Sequence, residues 1–305
     1  MTEKVKADVL LKDFWRPNDR FADLFNAVVF QGKEVLKPEE LQEMDTDMSG
    51  IIRFKDYEQS LVRIRDVVKK TAFGVEFVVL GIESQQKIHY AMPLRTLLYD
   101  GMGYLKEYQE LTRSRKEDKG KRTNEEFLSG MRKEERLHPI ISIVVYYSEK
   151  PWDGPLCLKD MIVEMPEQIE KIFSNYKMNL VQIRESDQYV FHNEDVRTVF
   201  EIAREVFKGN FDKINRDYKD RPITSELLSV IGKITESREL IDQGENREVT
   251  DMCTALEKLK EEGRQEGIRS LIFQWTAEGR TVTEIAELLR KPEAFVREVQ
   301  AGKQE

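Results

Sequence analysis

Cysteine is nearly missing from this 305-residue chain: only Cys157 and Cys253 occur, and neither sits in a CxxC pair. That argues against a structural zinc site and against a disulfide framework. Histidine is equally sparse. His89, His138 and His192 show no ligand spacing, and all three read as structural. No apolar run approaches the roughly 18 residues needed to span a bilayer, and residues 1–12 lack the apolar stretch of a secretory signal. These absences point to a cytoplasmic protein with no membrane contact. Net positive charge is lacking too, since 49 Lys and Arg face 57 Asp and Glu, a balance of −8. Proteins that coat nucleic acid usually carry an overall basic footprint, so that class is disfavoured. An enzyme with catalytic carboxylates and a local basic patch is not. Arg113 to Arg122 offers such a patch, with six basic residues against Glu117 and Asp118. The same stretch also reads as a solvated loop.

What the chain does have is charge, at 35%, with an ordinary apolar share of 40%. That combination predicts exposed helices rather than disorder. The length fits two domains, or one domain with an appendage.

Asn18 to Phe30 reads as a helix capped by Asn18 or Asp19, with Phe21, Leu24, Phe25 and Val28 on one face. Residues 37–41 suggest a helical turn, and 45–50 a polar turn. Leu61 to Val68 and Glu76 to Gln85 read as two strands of a hairpin turning at Ala72 to Gly74. The second is apolar on both faces through its first half, as a covered central strand should be. A helix follows from Pro93 to about Glu110, with Leu97, Leu98, Met102 and Leu105 as its expected buried stripe. Ile140 to Tyr147 is the clearest strand, and it runs into the loop 150–155. Met178 to Ile183 is a further strand, and from Glu194 onward Val196, Val199, Phe200, Ala203 and Phe207 mark a helix face. The expected architecture is a mixed α/β domain over 1–215, a charged helical linker region over 216–264 and a small helical domain over 265–305.

Alternation along a strand puts Val62, Ile64, Asp66 and Val68 on one face. An acid among apolar neighbours is costly unless something pairs with it. Glu83 and Gln85 also share a face, with Ser84 pointing the other way. If the hairpin joins these faces, two carboxylates and an amide converge at one strand end. A hard divalent cation such as Mg²⁺ would relieve their repulsion through oxygen ligands and keep waters for a phosphate to displace. It would then activate water and stabilise charge on a phosphodiester. The alternative from spacing alone is structural, with Asp66 paired to an arginine such as Arg95 and Glu83 at an exposed strand end.

The surrounding strings add a second line. Arg65-Asp66, then Gly81-Ile82-Glu83-Ser84-Gln85, Tyr90-Ala91-Met92-Pro93-Leu94-Arg95 and Leu98-Tyr99-Asp100 resemble the Rpn family of recombination-promoting nucleases and transposase-like proteins. So do Phe21 to Asn26, Pro139 to Tyr147 with Pro151 to Gly154, and the tail strings at 252–256 and 262–267. The resemblance runs over nearly the whole chain. It implies a PD-(D/E)xK nuclease core, a restriction-endonuclease-like mixed sheet flanked by helices. Carried over by position, Asp66 is the first acid, Glu83 the second, and Gln85 stands where the superfamily usually has lysine. Asp66 and Glu83 would hold Mg²⁺, or Mn²⁺ or Ca²⁺, with Asp23 a further ligand or else a capping or surface residue. Asn26 lies one turn on from Asp23.

Arg95 and Tyr99, four residues apart on one helix face, are candidates to contact phosphate, as are Arg113, Arg115 and Lys116. Arg95 equally suits a structural ion pair. Trp152 reads as a loop anchor. Near the C-terminus, Thr281 to Glu284 forms a capping-box pattern. Ile285, Leu288 and Leu289 follow on one face, Leu271, Ile272 and Trp275 lie on an earlier helix, and Pro292 opens a last one with Phe295, Val296 and Val299 buried. Three short helices of this kind resemble a helix-turn-helix unit. The last offers Lys291, Arg297 and Lys303 against Glu293 and Glu298, so contact with DNA and association of copies are both open. Two functions compete: a metal-dependent DNA endonuclease of low sequence specificity, linked to recombination, mobile elements or defence, and a non-catalytic DNA-binding or regulatory protein on the same fold. A true transposase is a weaker third.

Overall fold

Capping, alternation and burial account for the elements of the computed structural model, which describes residues 3–43, 50–54, 57–61, 67–71, 76–82, 88–114, 123–218, 221–237, 240–241, 265 and 267–301. Helices α1 (Glu3–Trp15) and α2 (Asn18–Val28) come first. A 3-10 turn at Pro38–Glu40 leads into β1 (Leu41–Glu43). Then follow β2 (Gly50–Phe54), β3 (Tyr57–Leu61), β4 (Val67–Thr71) and β5 (Glu76–Ile82). Helices α3 (Met92–Ser114) and α4 (Asn124–Ser129) precede β6 (Ile140–Tyr146). The short helix α5 (Glu167–Glu170), β7 (Asn179–Gln182) and α6 (Glu194–Phe207) complete the series.

The fold is mixed α/β with two sheets. One has five strands in the order β1-β4-β5-β6-β7, and β2 and β3 form a separate antiparallel hairpin. β1, β4 and β5 pair antiparallel, while β5, β6 and β7 run parallel. β6 shows why. Its residues from Ser142 on are buried on both sides, the mark of a strand covered on both faces. Val144 and Tyr146 pack with Met92, Tyr99 and Met102 of α3. By alternation Ile143 and Val145 face the other way, where Tyr147 accepts a hydrogen bond from the Trp15 indole N–H at 2.6 Å. Trp15 stacks edge-on against Phe200 of α6. Helix α3 therefore covers one face of the sheet, and α1, α2 and α6 cover the other.

Several expectations are corrected here. The buried stripe of α3 is Met92, Thr96, Tyr99, Asp100 and Met102, whereas Leu98 and Leu105 are exposed. The α2 cap is Pro17, with no side-chain cap. Asn18 instead donates to the carbonyls of Pro38 and Leu41, tying α2 to the turn before β1. Phe207 at the end of α6 is only half-buried. The N-terminal helix α1 had no sequence-based counterpart. β4 does pair antiparallel with β5, with Val67 opposite Val79, but it spans Val67–Thr71, so only Val67 and Val68 of the expected strand Leu61–Val68 lie in it, and Leu61 belongs to β3. Residues 62–66 and 72–75 lie outside the described set.

The first compact unit comprises 1–208 with 233–236, and the second 209–232 with 237–305. The sequence-drawn boundary at 215 falls inside α7 (Phe211–Tyr218). Helix α8 (Ser225–Ile234), placed within the expected charged linker, is apolar, with Leu227, Leu228, Val230, Ile231 and Ile234 buried. At the C-terminus a helix over 267–277 and the helices Val282–Leu289 and Glu293–Ala301 enclose Ile272, Ile285, Ala286 and Val296. Thr281 caps the middle one in a complete capping box. Leu271 and Leu288 face solvent rather than this core. Among the described residues no helix is long and apolar enough to cross a membrane.

Candidate active site

Asp66, Glu83, Gln85, Arg115 and Lys116 lie outside the described residues. In the chain, Asp66 comes just before β4 and Glu83 just after β5. Ile82, Tyr146 and Gln182 are in register, so β5, β6 and β7 end level with one another. The crevice outside the carboxyl ends of parallel strands is where open α/β sheets bind ligands.

Tyr146 closes β6 at that edge. Its ring meets Trp152 edge-on at 5.2 Å between centroids and packs in the cluster of Met92, Tyr99 and Met102. Its hydroxyl is buried and has no hydrogen-bond partner among the described residues. A buried polar group left unmatched costs about 1–3 kcal/mol. Trp152 is a loop anchor, as expected: its backbone N–H donates to the Gln182 amide oxygen at 2.7 Å, and its indole N–H donates to the Gly154 carbonyl at 2.8 Å. From the first turn of α3, the Arg95 Nε–H donates to the Tyr99 hydroxyl at 3.0 Å, with the guanidinium 5.6 Å from that ring's centroid. The pair thus forms on one helix face. No described carboxylate lies within ion-pair distance of Arg95. Arg113 sits exposed in the last turn of α3 rather than in a loop.

Asp23 is neither a surface residue nor the cap of its own helix. It is 5% exposed, and its Oδ1 accepts the backbone N–H of His192 at 2.8 Å, beside the Asn193 cap of α6. Its Oδ2 has no hydrogen-bond partner among the described residues. Burial pushes its carboxyl above the usual range, against the lowering effect of the His192 and Asn193 amides. Around it, Asp19 accepts from the Asn193 amide and Arg20 pairs with Asp195 at 2.7 Å. Asp23 therefore joins α2 to the start of α6. Asn26, one turn on, is fully engaged. Its amide donates to the Leu36 carbonyl, and its oxygen accepts the Val35 and Leu36 amides. Among the described residues no group of three or more His, Cys, Asp or Glu is arranged to hold a metal ion.

Two buried polar features had no sequence signal. Lys69 of β4 is buried, donates to the Arg16 carbonyl and to Asn18, and lies 5.3 Å from the Phe21 ring centroid. Burial lowers its pKa, while Glu43 and Asp19 partly restore it. Asp100 of α3 accepts the Ser142 hydroxyl at 2.6 Å and the Tyr176 hydroxyl on its other oxygen. Burial and the Asp100 charge push the Tyr176 phenol well above its ordinary pKa. A cation in a strand and an acid in a helix both look exposed in sequence, and only the third dimension pairs them. The histidines fit the structural expectation where partners are seen: His138 is held by Glu107, and the His192 ring bonds the Gly32 carbonyl.

No family model, curated protein or solved structure matches the chain.

Proposed function

We propose that the chain is a divalent-metal-dependent DNA endonuclease of the Rpn type, with a restriction-endonuclease-like core and low sequence specificity, acting in the cytoplasm on recombining, mobile or foreign DNA. The observation that carries the reading is the coincidence of Glu83 and Gln85 in sequence with the level carboxyl ends of β5, β6 and β7. Asp66, next in the chain to β4 of the same antiparallel pair, supplies the other acid.

In this reading Asp66 and Glu83 hold Mg²⁺, or Mn²⁺ or Ca²⁺, which supplies an activated water and stabilises charge on the phosphodiester. Gln85 orients the water or a phosphate oxygen through its amide. It brings no charge, so cationic help falls to Arg95, the fourth residue of α3, with Tyr99 steadying the guanidinium. Arg113, Arg115 and Lys116 contact the DNA backbone farther along. The buried, partner-linked position of Asp23 supports an architectural role better than a place among the metal ligands.

The test is incubation of plasmid with purified protein and Mg²⁺, Mn²⁺ or Ca²⁺. Wild type is expected to nick or linearise the plasmid. Asp66→Ala is expected to lose at least about a hundredfold in rate, since even partners that merely orient a metal ligand are worth 10–100-fold. Equal trace activity in both proteins would leave the second reading, a DNA-binding protein without catalysis, which the acidic balance and the absent lysine favour. Salt-sensitive gel shifts that ignore Asp66 would then be seen.

A further inference from the structure

We propose that α3 joins two copies of this chain, antiparallel, about a two-fold axis through Gly101. While one face of α3 packs on β6, another faces solvent. There Leu94, Leu98 and Leu105 are 40%, 43% and 46% exposed, with Gly101 between them. The spacing 94, 98, 101, 105 is that of a helical contact seam. Scattered apolar residues on a surface need no explanation, but a continuous stripe along a helix marks a contact face.

Gly101 is the deciding residue. A glycine inside a helix costs about 1 kcal/mol relative to alanine. A Cβ added at Gly101 would meet no heavy atom within 4 Å, so no neighbour in its own chain requires the bare backbone. Its φ is not positive either. What the missing side chain offers is close approach by another backbone.

The occupant follows from symmetry. Three, four and seven residues before Gly101 stand Leu98, Leu97 and Leu94; three, four and seven after it stand Tyr104, Leu105 and Tyr108. An antiparallel second copy sets Leu98 and Leu97 against Tyr104 and Leu105, Leu94 against Tyr108, and Gly101 against itself. None of the seven positions carries a charge, so no like charges meet near the axis. An isologous interface needs such a self-complementary patch. From 94 to 108 the helix spans only about 21 Å, and one helix face buries less than the roughly 800 Å² per partner of a standard interface. A dimer dissociating at micromolar concentration is therefore expected. None of these seven residues belongs to the candidate active site.

Sedimentation equilibrium of the full chain from about 1 to about 100 micromolar tests the proposal. Wild type should pass from monomer to dimer across this range. Gly101→Ala should melt higher as a monomer yet dimerise at least tenfold more weakly, and Gly101→Gln should stay monomeric. With Cys157→Ser and Cys253→Ser in place, Gly101→Cys should form a disulfide-linked dimer on oxidation, whereas Gln109→Cys should not. A wild type that stays monomeric at the highest concentration would overturn the proposal. So would a dimer that survives Gly101→Gln unchanged.

Discussion

The two faces of the five-stranded sheet are finished differently. On the side of α1, α2 and α6, large rings interlock and polar groups find partners: the Trp15 indole reaches Tyr147, the buried Lys69 ammonium is held by Arg16 and Asn18, and Arg20 grips Asp195. On the side of α3, the Tyr146 hydroxyl is buried without a partner at the strand ends, and three leucines lie open along the helix. The difference is one of degree, since Asp100 of α3 is satisfied by Ser142 and Tyr176, and it can be tested residue by residue.

The closed face gives the largest expected effect. Trp15→Ala removes a fully buried indole and its hydrogen bond, and it should cost about 3–5 kcal/mol in denaturant-induced unfolding. A loss below about 1 kcal/mol would mean that this side is no more tightly built than the other.

On the α3 side the sign should reverse. Tyr146→Phe deletes a hydroxyl that has no partner, so stability should stay level or rise by up to about 1–3 kcal/mol. If the hydroxyl serves the strand-end crevice, plasmid cleavage should nonetheless fall roughly tenfold or more. A drop in stability together with unchanged cleavage would show the hydroxyl to be structural.

The smallest effect concerns Asp23 Oδ2 on the closed face, which has no partner among the described residues. The folded-state pKa of Asp23 lies above its ordinary value of 3.8. Between those two values the unfolded chain has lost the proton while the folded chain keeps it, so stability falls as pH rises through that window. Asp23→Asn, which does not titrate, should gain on wild type as pH climbs from the ordinary carboxyl range toward neutrality. Melting curves over that range would show it, and parallel curves would remove Asp23 as an ionisable element of the α2–α6 junction.

Much of this contrast was legible in the sequence, but unevenly. The β-branched run at 140–147 and the helix from Glu194 carry their structure locally, through β-branched content and apolar periodicity. Helix α3 was placed correctly, yet its buried face was misjudged. Its leucines form the more apolar stripe, while the face that meets the sheet carries Thr96, Asp100 and two methionines. Apolar periodicity finds a helix, and it cannot say which of two apolar stripes faces inward. Lys69 and Asp100 were missed because a charge gives no sign in sequence of partners 42 to 76 residues away. Asp66 and Glu83 were proposed only through spacing and the neighbouring strings, whereas the buried Tyr146 hydroxyl at the end of β6 has no sequence signature.

The most direct measurement is a crystal structure of the full chain soaked with Mn²⁺ and read by anomalous scattering. A metal-dependent nuclease at the strand ends predicts a peak coordinated by Asp66 and Glu83, absent in Asp66→Ala. A chain that cleaves DNA with no metal between those carboxylates, or that binds the ion elsewhere, would contradict it.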